Sequence, residues 1–155
     1  MDKILVTYFS ATGATKRLAE KIAGILYADI FEIKPEITYT EEDLKWPSRT
    51  NRSFMEMRNK RFRPLIKNKL GNVGDYNIVF LGFPVWYNTA PSIINSFIEE
   101  NNLTGKDVYI FVTSGVHTAD KSIRDLQKTY KNINFISAKR FSGRFREKDF
   151  LEWVS

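Results

Sequence analysis

The stretch Ile4 to Ala23, ILVTYFSATGATKRLAEKIA, decides how the rest of the chain is read. It predicts a buried strand (Ile4 to Phe9), a hydroxyl-rich turn (Ser10 to Thr15) and a helix that begins near Gly13 with Leu18, Ile22 and Ile25 on one face. A strand-to-helix turn gathers unpaired backbone N–H groups and the positive end of the helix dipole at one point, which favours anions and phosphate above all. Ser10, Thr12 and Thr15 add hydroxyl donors, Gly13 permits close backbone approach, and no Asp or Glu lies between Tyr8 and Thr15. Lys16 follows Thr15 without the Gly-Lys-Ser/Thr ending of a nucleoside-triphosphatase loop, and the three spaced glycines of a dinucleotide fingerprint are absent. What remains is a hydroxyl-lined site for a phosphate monoester. The plain alternative is that Ser10 or Thr12 caps the helix.

Outward from this stretch, strands and helices alternate. Asp29 to Ile33 (DIFEI) reads as a short edge strand ended by Pro35, and Glu36 to Gly74 as a long, partly helical connection whose one amphipathic piece runs from Phe54 to Phe62. Asn77 to Gly82 (NIVFLG) and Lys106 to Thr113 (KDVYIFVT) are continuous apolar runs, as expected of strands buried on both faces. A helix is predicted from about Ala90 or Pro91 with Ile94, Phe97 and Ile98 inward, and Asn101 to Gly105 closes it. A further helix spans Ala119 to Tyr130 with Ile123 and Leu126 apolar, a last strand spans Ile133 to Ala138, and a short helix spans Glu147 to Val154. Five strands alternating with helices imply a parallel, doubly wound sheet, with ligands bound at the carboxyl ends of its strands. Three turns fall at that edge: Ser10–Thr15, Pro84–Ala90 and Thr113–Thr118. In the second, Trp86 and Tyr87 offer aromatic faces that stack on a planar ring, or else plug the edge of the sheet.

Composition bounds the chemistry. The 155 residues, 43% of them apolar, suit one well-buried domain. There is no apolar run of about 18 residues to span a bilayer and no secretory leader pattern, so a soluble cytoplasmic protein is expected. Without cysteine there are no disulfides, thiolate metal sites or cysteine nucleophiles, and with His117 as the one histidine a histidine metal cluster or triad is not expected. Redox chemistry would have to come from a bound organic cofactor. The net charge of +6 is concentrated: between Lys45 and Lys69 stand nine basic residues (Lys45, Arg49, Arg52, Arg58, Lys60, Arg61, Arg63, Lys67 and Lys69) against one acid, Glu56. Such a stripe meets nucleic acid, an anionic membrane surface, a phosphorylated cofactor or an acidic protein, or is simply a solvated face.

The pattern Ser/Thr-x-Thr-Gly-x-Thr directly after a first strand resembles the phosphate loop of flavodoxins. The segment LGFPVWYNTAP resembles the second flavin loop of bacterial flavodoxin-type proteins, and GKDVYIFVTSG their third strand-and-loop unit. With RFSG at Arg140 to Gly143 the similarity runs in order along nearly the whole chain, except for the basic insertion. It implies a three-layer α/β fold over residues 1–155 as a single domain, a doubly wound five-stranded parallel sheet in the order 2-1-3-4-5. It also implies FMN as cofactor. Ser10, Ala11, Thr12, Gly13, Ala14 and Thr15 would wrap the phosphate. Pro84, Val85, Trp86, Tyr87 and Asn88 would border the isoalloxazine, and Thr113, Ser114 and Gly115 would approach its pyrimidine side with backbone groups.

Three departures from the family pattern stand out. Ala14 replaces an asparagine common in the phosphate loop, though its backbone N–H survives the change. Asn88 stands where glycine is usual, at a peptide that flips to offer its carbonyl to flavin N5–H; asparagine tolerates positive φ best among the other residues. Val116 and His117 add bulk and a titratable ring to the third loop, or His117 is an exposed and unremarkable loop histidine.

The expected function is electron transfer by non-covalent FMN between redox partner proteins, with no side chain needed as acid or base and an acidic partner meeting Lys45–Lys69. The charge of +6 departs from the acidic habit of flavodoxins and predicts a less negative reduction potential, unless local acids such as Asp120 offset it. The alternatives are an NAD(P)H-dependent quinone or flavin reductase of the same fold, and an FMN-free module that binds nucleic acid through the basic stripe.

Overall fold

The computed structural model describes residues 3–45 and 50–155. A five-stranded parallel sheet, in the order β2-β1-β3-β4-β5, forms the middle layer. Its strands are β1 (Ile4–Tyr8), β2 (Asp29–Glu32), β3 (Ile78–Pro84), β4 (Asp107–Thr113) and β5 (Asn134–Arg140). The order expected from the sequence is the order observed. The three apolar runs are the inner strands, covered on both faces, while β2 and β5 at the edges are more exposed.

Helix α1 (Ala14–Leu26) and a helix at the C-terminal end, Glu147–Val154, cover one face, where Leu18, Ile22 and Phe150 pack on Val6, Phe80 and Phe111. The opposite face is covered by the helices Ser92–Glu100 and Asp120–Thr129, which bring Ile93, Ile94, Phe97 and Leu126 against Leu5, Val79, Leu81 and Ile110. Across the sheet Tyr8 pairs with Gly82, and Gly82 with Phe111. A Cβ on Gly82 would lie 2.0 Å from the Phe111 ring, so the missing side chain is the space that this fully buried phenylalanine occupies.

Several boundaries differ from the sequence expectation. Strand β2 stops at Glu32, although the Ile33 N–H still donates to the Tyr8 carbonyl at 2.7 Å. Strand β3 runs past Gly82 through Phe83 to Pro84, because both still pair with Val112 and Thr113; a proline is tolerated at a strand's end, where its missing N–H breaks no ladder. Strand β5 extends two residues beyond Ala138, to Arg140, which still pairs with Val112.

The long connection after β2 is more structured than its polar sequence suggests. It is pinched at its neck: Pro35 bridges Ile66, Glu36 N–H donates to Leu65 O at 2.9 Å, and Lys67 N–H donates to Lys34 O at 2.7 Å. Inside it lie α2 (Glu41–Leu44), started by a Thr40/Asp43 capping box, and α3 (Arg52–Arg58), whose first turn is capped by the Asn51 side chain. The expected amphipathic piece therefore starts earlier and ends at Arg58 rather than Phe62, and α2 is an addition. Trp46, Pro47 and Arg49 lie outside the described residues. In order after α3, the remaining helices are α4 (Ser92–Glu100), α5 (Asp120–Thr129) and α6 (Glu147–Val154). Among the described residues no helix is long and apolar enough to cross a membrane, and no cluster of acidic or histidine side chains could hold a metal ion.

Candidate functional site: a three-loop cleft at the carboxyl edge

The first loop is closed by its own serine. Ser10 Oγ accepts the Gly13 N–H at 3.1 Å, and Gly13 takes φ +98°, a conformation suited to glycine. No side chain caps α1, and no acidic residue stands in its first turn. The simple capping role for Ser10 or Thr12 is thus not what the structure shows; the helix start is left to meet another acceptor. Thr15 is buried, with its Oγ1 2.9 Å from Thr113 Oγ1, so the first and third loops are joined by hydroxyl groups.

The second loop turns back tightly on itself. Trp86 and Thr89 exchange backbone hydrogen bonds of 2.9 and 3.0 Å, and the two residues between them, Tyr87 and Asn88, have φ of 50° and 64°. Positive φ at both central positions is the hallmark of the type I′ reversal, usually built from Asn and Gly. The Trp86 indole is held edge-on by Phe9, centroids 5.5 Å apart, and by Tyr39, centroids 5.2 Å apart. It is only half-buried, so Trp86 both packs on the core and offers surface to the cleft. Tyr87 rests edge-on against Phe54 of α3, 5.8 Å between centroids.

In the third loop Ser114 Oγ accepts the N–H groups of Val116 (3.1 Å) and His117 (2.9 Å). Val85 N–H donates to Thr113 O at 3.1 Å, tying the second loop to the third. Gly115 and Val116 are exposed and His117 is half-buried.

Two adjoining cavities run between these loops. One of about 600 Å³ passes from Thr12 and Ala14 along Pro84, Val85 and Trp86 to Thr113, Ser114 and Gly115. The other, of about 430 Å³, lies between Trp86 and Tyr87 on one side and Ser114 and His117 on the other. Of the residues expected from sequence, Ser10, Ala11 and Gly13 in the first loop, Thr15 in the first turn of α1 and Asn88 in the reversal line neither cavity. Sequence reasoning missed Leu44 and Ser53, contributed to the second cavity by the insertion. It also missed Arg17 and Lys21 on α1 and the segment from Phe141 to Phe145 in the first. The spacing of Arg17 and Lys21 four and eight residues after Gly13 was the available signal, since it puts both on one side of the helix.

The insertion backs the site through a polar network. Tyr39 donates its phenol proton to the buried carboxylate of Glu56, Arg52 Nε lies 2.8 Å from Glu56 Oε2, and the Arg52 guanidinium lies 3.8 Å from the centre of the Tyr39 ring. Burial first, and the bond to Glu56 second, push the Tyr39 phenol well above its ordinary range. The basic stripe is therefore not uniform. Arg52 serves this network, Arg63 pairs with Glu99 at 3.0 Å, and Arg58, Lys60, Arg61, Lys67 and Lys69 face solvent.

A crystal structure from Bacteroides eggerthii, provisionally described as that of a flavoprotein, is 43% identical, covering 99% of this chain and 96% of that one with a TM-score of 0.96. A second, likewise provisionally described, from Bacteroides uniformis is 38% identical, covering 99% and 97%, with a TM-score of 0.93. A flavoprotein in complex with FMN from Lactobacillus acidophilus is 21% identical over 100% of both chains, with a TM-score of 0.80, and shares the fold. No curated protein sequence matches the chain. The sequence profile of the flavodoxin family matches residues 3–155. With its 2-1-3-4-5 sheet and an open, uncapped first loop, this chain belongs to the flavodoxin family.

Proposed function

We propose that the protein binds FMN non-covalently and carries electrons between partner proteins. The observation that supports this most is the convergence on one cleft of an uncapped, acid-free helix start and a half-buried tryptophan. The first suits a phosphate monoester and the second a flat aromatic ring. Bound FMN would supply the one- or two-electron chemistry. The chain's part is to bind and shield it: the N–H groups opening α1 and the Thr12 and Ser10 hydroxyls for the phosphate, Trp86 and Tyr87 for the ring, and the backbone of Thr113 to Gly115 for its polar edge. The fit is favourable, since Gly13 keeps the loop free of a side chain at its tightest point. The FMN-bound relative from Lactobacillus acidophilus has the same fold.

The exposed cations of the insertion suit an acidic redox partner, steered by long-range attraction that salt would weaken. The second reading, an NAD(P)H-dependent reductase, is favoured by the basic side chains that line the first cavity.

Titration with FMN is the test. A yellow 1:1 complex with quenched flavin fluorescence is expected, and absence of binding at micromolar FMN would remove the proposal. Catalytic NAD(P)H oxidation with a quinone acceptor would replace the carrier with the reductase.

A further inference from the structure

The larger cavity does not stop at the phosphate loop. It continues between the first turns of α1 and the segment joining β5 to α6, where Arg17, Lys21 and Arg144 line it beside Phe141 and Phe145. Arg17 Nη1 lies 3.0 Å from where a side chain on Gly13 would begin, so this guanidinium leans over the first loop. Lys21, one turn further along the helix, places its ammonium 5.7 Å from the centre of the Phe145 ring, and Phe141 and Phe145 are 5.5 Å apart. No acidic residue lines the cavity, and among the described residues none of the three cations is in an ion pair. The nearby Asp149 is paired with Arg146 at 3.0 Å.

One phosphate monoester needs little more than the helix start. Three unpaired cations and two half-exposed rings on the far side of that loop match a second phosphate followed by a flat base. We propose that this end of the cleft holds the adenosine monophosphate portion of a dinucleotide. Its phosphate lies against Arg17, Lys21 and Arg144, and the adenine against Phe141 and Phe145. The inference rests on the reading of Ser10–Thr15 as the FMN phosphate loop. It leaves two sources for the same chemistry: FAD in place of FMN, or a nicotinamide dinucleotide beside it.

The test uses the full chain. FMN binding is measured first by fluorescence quenching, and AMP is then titrated calorimetrically into the FMN-saturated protein. Saturable AMP binding is expected, weakened at least tenfold in K21Q/R144Q. Should the double variant fail to fold, R144Q alone is expected to weaken AMP at least threefold. Protein that binds FMN but shows no saturable AMP binding, or binds AMP equally well in the variants, overturns this inference and leaves the FMN proposal standing. Protein that binds AMP but not FMN supports the compartment and removes the FMN proposal. FAD displacing FMN and binding more tightly identifies a flavin tail; NADPH binding without displacing FMN identifies an electron donor.

Discussion

The Tyr39 ring stands edge-on to the Trp86 indole, centroids 5.2 Å apart at 78°, although the two residues come from an insertion and from the loop that follows a central strand. Tyr39 is itself fixed by Glu56 and by Arg52 above its ring. Replacing it with leucine removes the wall behind Trp86. A loss of about 2 to 4 kcal/mol in stability is expected from the lost aromatic contacts and the space left behind. FMN affinity should fall as well, although Tyr39 lines neither cavity. Chemical denaturation together with an FMN titration checks both; Tyr39→Phe, which keeps the ring, should preserve most of the affinity.

The alkaline limit of stability follows from four tyrosines, among them Tyr76, raised by burial and then by its bond to Asp29. Burial and then Glu32 raise Tyr8; burial and then Glu56 raise Tyr39; burial and then Glu99 push Tyr130 up to about 12. The unfolded chain releases these protons near the ordinary value of 10.0, while the folded chain retains them. Below that pH the contribution is fully present, and it is lost as pH rises through the folded values. Urea midpoints should therefore be flat up to about pH 9.5 and fall beyond about pH 10. Tyr39→Phe should make that fall shallower; an unchanged slope would show that Tyr39 does not take part.

Gly82→Ala should be among the most damaging single changes, because the new Cβ would meet the Phe111 ring at 2.0 Å in the middle of the sheet. A loss of about 2 to 3 kcal/mol is expected, as for other overpacked cores. Gly82→Ala combined with Phe111→Leu should recover part of it, and failure of that rescue in thermal melts would mean the clash lies elsewhere.

Asn88 holds φ 64° in the Trp86–Thr89 reversal. Asn88→Gly should be close to neutral, within about 0.5 kcal/mol, whereas Asn88→Val should cost about 1 to 2 kcal/mol because a β-branched residue resists that conformation. Equal melting temperatures for the two variants would show that the turn has rearranged.

Much of this fold was legible because the inner strands are uninterrupted apolar runs and α1 carries a clear apolar face. The strand ends were less so. Pro84 and Arg140 continue their strands because neighbouring strands supply partners, which local composition does not reveal. At the site, the hydroxyl loop and the Trp86–Tyr87 pair announced themselves by residue type. Tyr39, Leu44 and Ser53 did not, since they sit in a polar, irregular stretch and reach the cleft only through the path of the insertion. Arg144 was hidden because it comes to the α1 end of the cleft only through the path of the β5–α6 segment, with α6 on the same face of the sheet as α1.

The pinched neck at Pro35 and Ile66 gives the insertion the character of a graft. Its two ends are already stitched together, so a short turn from Lys34 to Lys67 could replace everything between without moving either flanking strand. Variation in length and sequence is then cheap for the sheet but not for Trp86, which would lose its backing. A change of length or sequence in this lobe that displaced Tyr39 would be felt at the tryptophan first.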